Sequence, residues 1–357
     1  MPIKSWFIKN IYFLGILFVL VIIAVILNSY SSKTVPQTTV TVPKIEVTPS
    51  QSLPSNYTQS FKDISQIKIT DSGRVLSVNK DHRLVLNTDG REIFISPEGS
   101  NVVNYEPTGD LVVYEVGIYA NSNNQFYLFD LVDSQFTPLN LSSVAPVISY
   151  SLNSDKNTLA LLGQYRSKGF TSNLITYKIN SNQTTVILKN VSANYVKWID
   201  EDAVILGKSL DKNEPNYWIS LYSTVNQKYL LQEYPVVKKS LSFDTSGKNL
   251  FFINSQNSTL ESFSLENMQT YQIAPVDSLN LETIYYPKTN TIITLESFTD
   301  SLTLNFFDPV AKKLLINKKV NLFPQETYIE KYLNGDNLFI KTYNQNTKEY
   351  QIRAITF

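Results

Sequence analysis

The stretch SFDTSGKNLFFI, residues 242–253, decides the architecture. A short β-prone run, SF, gives way to the polar turn TSGK (245–248), and the apolar run LFFI (250–253) follows at once. Glycine among small polar residues marks a tight turn, because it accepts the positive φ such turns require. LFFI is too short and too uniformly apolar for an amphipathic helix, and it reads as a buried strand. A third strand, LESFSL (260–265), comes next and ends in the turn ENMQ (266–269). In other units a shorter fourth strand follows the last turn, as in TVILK (185–189) and KLLIN (313–317).

The same pattern recurs from residue 57 to the end. Its first turns are DSGR (71–74), PTGD (107–110), NSDK (153–156), DED (200–202), TSGK (245–248), KTN (288–290) and NGDN (334–337). With Gly73, Gly109, Asp155, Glu201, Gly247, Asn290 and Gly335 as markers, the steps are 36, 46, 46, 46, 43 and 45 residues. The strand after each turn keeps register: VLSV, LVVY, LALL, AVIL, LFFI, IITL and LFIK. Four strands per unit of about 40–50 residues is the blade of a β-propeller. The expected fold is therefore all-β, a seven-bladed propeller over 57–357, with six or eight blades as the alternatives because the first unit is compressed. The last unit shows three strands before Phe357, so YTQSFK (57–62) is the expected supplier of its outer strand.

SFDTSGKNLFF (242–252) resembles the S-x-D-G-K-x-L-x-F unit of WD-repeat-like propellers in Tol-type periplasmic proteins and prolyl-oligopeptidase-type propellers. ITDSGRVLSV (69–78) and YEPTGDLVVY (105–114) are looser copies. The resemblance implies the fold and little about function, since propellers host enzymes, receptors and scaffolds alike. No G-x-S-x-G elbow occurs in the sequence, so the resemblance does not imply peptidase activity.

Ahead of the repeats, residues 1–10 carry Lys4 and Lys9, and Ile11–Leu27 are uncharged and apolar. At 1.5 Å per residue those 17 residues span about 26 Å, close to a ~30 Å hydrocarbon core. Residues 11–28 are thus expected to be a transmembrane helix acting as a signal anchor. The basic flank keeps residues 1–10 in the cytoplasm and places the propeller outside, at the cell surface or in the periplasm. Trp6, Tyr12 and Tyr30 suit the interfacial belts. A cleaved signal peptide is the rival reading, but its only cleavage signal is the weak Ser29-x-Ser31. Residues 29–56 read as a linker rich in Pro, Thr and Ser; its four prolines deny helix and sheet and favour an extended chain.

Composition removes several chemistries. The chain has 357 residues and no cysteine, which excludes disulfides, thiolate metal sites and cysteine nucleophiles. His82 is the only histidine, so no multi-histidine metal site can form. Thirty-one basic and 31 acidic side chains give zero net charge, against the basic excess of a nucleic-acid binder. No metal, cofactor or nucleic acid is expected.

Each candidate for chemistry has a plainer reading beside it. Asp81 and His82 are neighbours in a turn, where adjacent residues rarely face one another as a catalytic pair does. Asp200, Glu201 and Asp202 form the densest acidic cluster, yet they occupy a turn, which favours Asp on backbone grounds. They match neither an EF-hand loop nor a sialidase box. Tyr105, Tyr150, Trp198, Phe243, Tyr286 and Tyr332 recur before the turns, as packing between adjacent blades would require; a sugar-stacking row is the alternative. Trp218 reads as core. The N-x-S/T sequons at Asn56, Asn140, Asn182, Asn190 and Asn257 are no more frequent than an Asn-, Ser- and Thr-rich chain produces by chance. The expected function is non-enzymatic: a module binding or scaffolding a protein, peptide or envelope polymer. The rivals are a carbohydrate-active enzyme with acids converging on the channel, and an accessory or sensor subunit of a membrane complex.

Overall fold

The computed structural model describes residues 58–355, apart from 62–63, 65, 71, 89–90, 119–122, 142, 145, 164–171, 210–215, 245–246 and 335–336. The expected anchor at 11–28, its flank at 1–10, the linker at 29–56 and the sequon at Asn56 lie outside them. Among the described residues no helix is long and apolar enough to cross a membrane. Their helical content is two 3₁₀ turns, Lys238–Ser240 and Pro287–Thr289.

All else that is regular is strand. A lone strand β1 (Thr58–Phe61) precedes β2 (Gln66–Ile69), β3 (Val75–Val78), β4 (Leu84–Thr88) and β5 (Arg91–Phe94). Next come β6 (Val102–Thr108), β7 (Leu111–Val116), β8 (Gln125–Asp130) and β9 (Phe136–Leu139). The third group is β10 (Val147–Leu152), β11 (Thr158–Gly163), β12 (Ser172–Lys178) and β13 (Gln183–Val191). The fourth is β14 (Tyr195–Trp198), β15 (Ala203–Ser209), β16 (Asn216–Ser223) and β17 (Lys228–Val237). The fifth is β18 (Ser242–Phe243), β19 (Asn249–Asn254), β20 (Thr259–Ser264) and β21 (Gln269–Pro275). Then follow β22 (Leu281–Tyr286), β23 (Thr291–Ser297), β24 (Ser301–Asp308) and β25 (Lys313–Asn321). The chain closes with β26 (Glu326–Asn334), β27 (Asn337–Asn344) and β28 (Glu349–Ile355).

Each group is an antiparallel meander in chain order. Two departures matter. The last sheet is ordered β26-β27-β28-β1, and Thr58–Phe61 pair with Tyr350–Arg353, so YTQSFK does supply the missing outer strand. The fourth and fifth groups merge into one eight-stranded sheet through the single pair Val236↔Asn254.

Turn chemistry sets the first hairpins. Gly73, Gly109 and Gly247 take φ of 78°, 58° and 70°, and Lys156 and Asn290 take 59° and 50° at corresponding turns. At Gly247 a Cβ would also meet the Ile199 carbonyl at 2.5 Å, so the fourth and fifth groups approach through the space that a side chain would fill. The strand after each turn is buried on both faces, as Val75–Val78 show throughout, because neighbouring sheets cover both sides. That is why these strands read as unbroken apolar runs rather than alternating ones.

The first strand of every group also bonds or packs against the first strand of the next. Gln66 Nε2 on β2 donates to the Val103 carbonyl on β6 at 3.1 Å. Strand β6 packs on β10, and β14 donates from its Val196 and Trp198 amides to Ser149 Oγ and Ser151 Oγ on β10. Tyr195 and Ile199 pack against the same core as Leu241 and Phe243, which brings the fourth group to the fifth. The Tyr285 amide on β22 donates to Ser242 Oγ on β18 at 2.7 Å. Tyr328 of β26 donates to Glu282 of β22, and Tyr332 of β26 donates to the Ile67 carbonyl of β2 at 2.8 Å. The circuit returns to its starting strand.

Candidate binding surface on the inner strands

Along this circuit, charged side chains on the first strands meet one another between groups. Lys68 Nζ on β2 reaches Glu106 Oε2 on β6 at 2.8 Å and the Tyr105 carbonyl at 2.6 Å. Glu282 on β22 binds Lys331 of β26 at 2.7 Å and the exposed Lys239 at 3.6 Å, while the Tyr328 hydroxyl donates to it at 2.9 Å. Glu330 faces Lys341 at 3.5 Å and accepts from the Tyr332 hydroxyl at 2.9 Å. The side chains of Glu282 and Lys331 are only 9% and 13% exposed. A buried ion must keep its partner, since losing one leaves an uncompensated charge in a poorly hydrated place.

The electrostatics follow burial. Desolvation, opposed by Glu282, pulls the Lys331 ammonium below lysine's ordinary value. Burial, reinforced by Glu106 and Glu330, holds the Tyr105 hydroxyl well above the ordinary tyrosine range. Burial and then Glu282 raise Tyr328, and burial and then Glu330 raise Tyr332. These tyrosines stay neutral donors at physiological pH.

Two adjoining cavities open on the inner strands β6, β10 and β14. One, of about 240 Å³, is lined by Glu106, Ser151, Asn153, Lys197, Trp198 and Asp200 among others. The second, of about 220 Å³, shares Glu106, Ser151 and Lys197 and adds Asn104 and Asn194. Together they offer one cation, carboxylates and several amide and hydroxyl groups from three sheets, a wall suited to polar recognition.

The structure distributes the sequence candidates unevenly. His82 is exposed in a turn at φ 57°, where its amide donates to the Asn79 carbonyl. Asp81 is exposed beside it. Asp200, Glu201 and Asp202 form an exposed turn; Asp200 reaches the first cavity, and the Glu201 carbonyl accepts from Asn153 across the sheet boundary. Among the described residues no group of three His, Asp or Glu could hold a metal ion.

The aromatic row packs between sheets. Tyr105 is fully buried and donates to the Leu76 carbonyl of the preceding sheet at 3.0 Å. Tyr150, Trp198 and Tyr286 are buried too, while Phe243 and Tyr332 are half-buried against neighbouring cores. Trp218 departs from its expected core position. It is half-buried and lines a surface cavity of about 270 Å³ with Tyr229, Lys208 and Gln232, because β16 carries its alternate side chains to an incompletely covered face. Glu282, Lys331 and Glu330 escaped the sequence reading. The available signal was a carboxylate or ammonium inside the runs LETIYY (281–286) and YIEKYL (328–333).

No family model matches the chain, and no curated protein matches it in sequence. Solved structures resemble it in fold. A prolyl endopeptidase aligns with a TM-score of 0.59 at 12% identity, over 84% of this chain and 47% of the endopeptidase chain. The β-propeller domain of Cps50 (Swd1) from Myceliophteria thermophila aligns with a TM-score of 0.54 at 12% identity, over 84% of this chain and all of that domain. The chain thus spans about half the length of the endopeptidase. The fold is that of a β-propeller.

Proposed function

We propose that this chain is a membrane-tethered, extracytoplasmic, seven-bladed β-propeller that acts as a non-enzymatic binding or scaffold module. The blade number is supported by the circuit of inner strands, in which seven successive first strands meet and the last returns to the first. The tether rests on residues 11–28 and the charges before them, with 29–56 as the stalk. The partner is a protein, peptide or envelope polymer met at the inner-strand wall. The observation that carries this reading is the pair of adjoining cavities sharing Glu106, Ser151 and Lys197.

The test is crosslinking capture on intact cells, comparing the full-length chain with residues 57–357. The reading expects common partners for both, membrane neighbours for the full chain alone, and loss of the common partners in Lys197→Glu. Capture unchanged by Lys197→Glu argues against the inner-strand wall. Partners lost on removing residues 11–28 favour the accessory-subunit alternative.

One observation favours an enzyme as the second reading. Glu106 and Asp200 come from different sheets and line one cavity, as a glycosidase's two acids must. Against it, Glu106 Oε2 is held by Lys68 at 2.8 Å. Glycan hydrolysis by purified protein, abolished in both Glu106→Gln and Asp200→Asn, would establish the enzyme and displace the scaffold.

A further inference from the structure

The outer edges of the sheets are protected unequally. Strands β1, β5 and β9 are each four residues long, and β9, β17 and β21 contain Pro138, Pro235 and Pro275. Short strands, prolines, bulges and charged side chains, lysine above all, are the usual ways to keep an edge from recruiting another chain. β25 is neither short nor broken by proline; it carries lysines and one register shift opposite Phe306 and Phe307, so a chain that joins it must match positive charge. The strand runs nine residues, KLLINKKVN, without proline, and among the described residues pairs only with β24. Leu314, Leu315 and Ile316 are 50%, 45% and 60% exposed on it. The other nine-residue outer strand, β13, keeps Val186, Ile187 and Leu188 half-buried.

Beside β25 lies a cavity of about 530 Å³, reaching to β21. Val276, Phe298, Phe307 and Leu314 give it apolar walls. Its lining includes Thr294, which is fully buried and whose hydroxyl has no hydrogen-bond partner. The charge is one-sided along the strand: Lys312, Lys313, Lys318 and Lys319 fall within 312–321, a stretch without a carboxylate. Asp277 and Glu296 line the cavity together with Lys312 and Lys313, so its charge is balanced, and the excess of positive charge lies along β25 toward Lys319.

We propose that β25 is a docking edge for an extended peptide with an apolar anchor residue and acidic flanks. The peptide backbone continues the sheet beyond β25, the anchor enters the cavity beside Phe298 and Phe307, and the flanking carboxylates meet the lysines. Strand addition of this kind draws affinity from main-chain hydrogen bonds and specificity from pockets for alternate side chains. The inference rests on the binding-module reading and names a partner class for it, at a surface distinct from the inner-strand cavities.

The test uses the full-length chain in detergent and an array of ten-residue peptides with alternating Val, Ile, Leu or Phe and terminal Asp or Glu. Acidic-flanked peptides are expected to bind. N-methylation of alternate amides, or Lys in place of the acids, weakens them by at least about tenfold. The triple variant Lys312→Glu, Lys313→Glu, Lys319→Glu loses affinity similarly with an unchanged thermal midpoint, and bound peptide slows amide exchange over 313–321. Absence of binding across the array overturns the proposal, as does equal binding of the N-methylated peptides. Protection at residues 104–107 and 149–153 instead overturns it while leaving the binding module standing. A dimer made monomeric by Ile316→Lys assigns the edge to a second copy and overturns it too.

Discussion

Two sheets of this molecule are completed in opposite ways. The sheet β26-β27-β28-β1 borrows its outermost strand from a segment almost 300 residues earlier in the chain, whereas the eight-stranded sheet joins consecutive groups through one residue pair. The first junction is non-local and carries four register pairs, and Phe61 sits with Ile67, Val75, Phe339 and Ile352 in a core shared with β2 and β3. The second adds little pairing to sheets already held by their own meanders. The long-range closure is shared between the four residues of β1 and the contact of β26 with β2 through Tyr332 and the Ile67 carbonyl. Closing a long loop costs entropy that grows slowly with length, so a short strand with one well-buried aromatic can suffice.

The largest expected effect tests that closure. A chain lacking residues 1–62 loses β1 and exposes the β28 edge; it should lose on the order of 5 kcal/mol and unfold less cooperatively, as denaturant melts would show. A peptide covering 51–63 added in trans should restore part of the loss. Full stability without β1 would break the comparison.

Next comes the ion pair binding the last sheet to its neighbour. Glu282→Gln should cost about 3 kcal/mol by stranding Lys331, and Glu282→Leu with Lys331→Met should recover most of it, as stability curves for the two variants would show. No cost in the single variant would mean that the pair is hydrated.

Gly247→Ala probes the joined sheet. It combines φ 70° with a contact at 2.5 Å to the Ile199 carbonyl, and should cost about 2 kcal/mol. Gly109→Ala, at φ 58° with open space around it, should cost about 1 kcal/mol. Equal thermal shifts for the two would remove the close approach from the account.

The smallest effect at neutral pH is alkaline. Burial, helped by Glu261, pushes Tyr234 in the joined sheet up from 10.0 to about 12, while Tyr328 and Tyr332 in the closing sheet are held still higher. The folded chain keeps these protons longer than the unfolded one. The stabilisation from Tyr234 is therefore complete below pH 10 and is lost as pH rises through 12, while that from Tyr328 and Tyr332 goes on falling above it. Tyrosinate absorbance should show Tyr234 ionising before Tyr328 and Tyr332, with the early step absent in Tyr234→Phe.

Much of this fold was legible because its determinants are local. Gly73, Gly109 and Gly247 mark turns whose φ the sequence advertises, and LALL or LFFI can be buried only as strands covered on both faces. YTQSFK was legible by counting, since the final unit lacked a strand. The site was far less so. Glu282 meets Lys331 across 49 residues, and nothing in LETIYY names that partner. Trp218 looked like core because its neighbours are apolar, and only the neighbouring sheet's reach decides whether a face is covered.

Period, strand identity, turn positions and the compositional exclusions are determined by the sequence itself, because backbone sterics and side-chain hydrophobicity act over a few residues. Which carboxylates are buried against which lysines, which inner strands line a shared cavity and which outer edge is left open were decided only by the tertiary structure. Those outcomes depend on how far one sheet overlaps the next, a non-local quantity that no window of sequence contains.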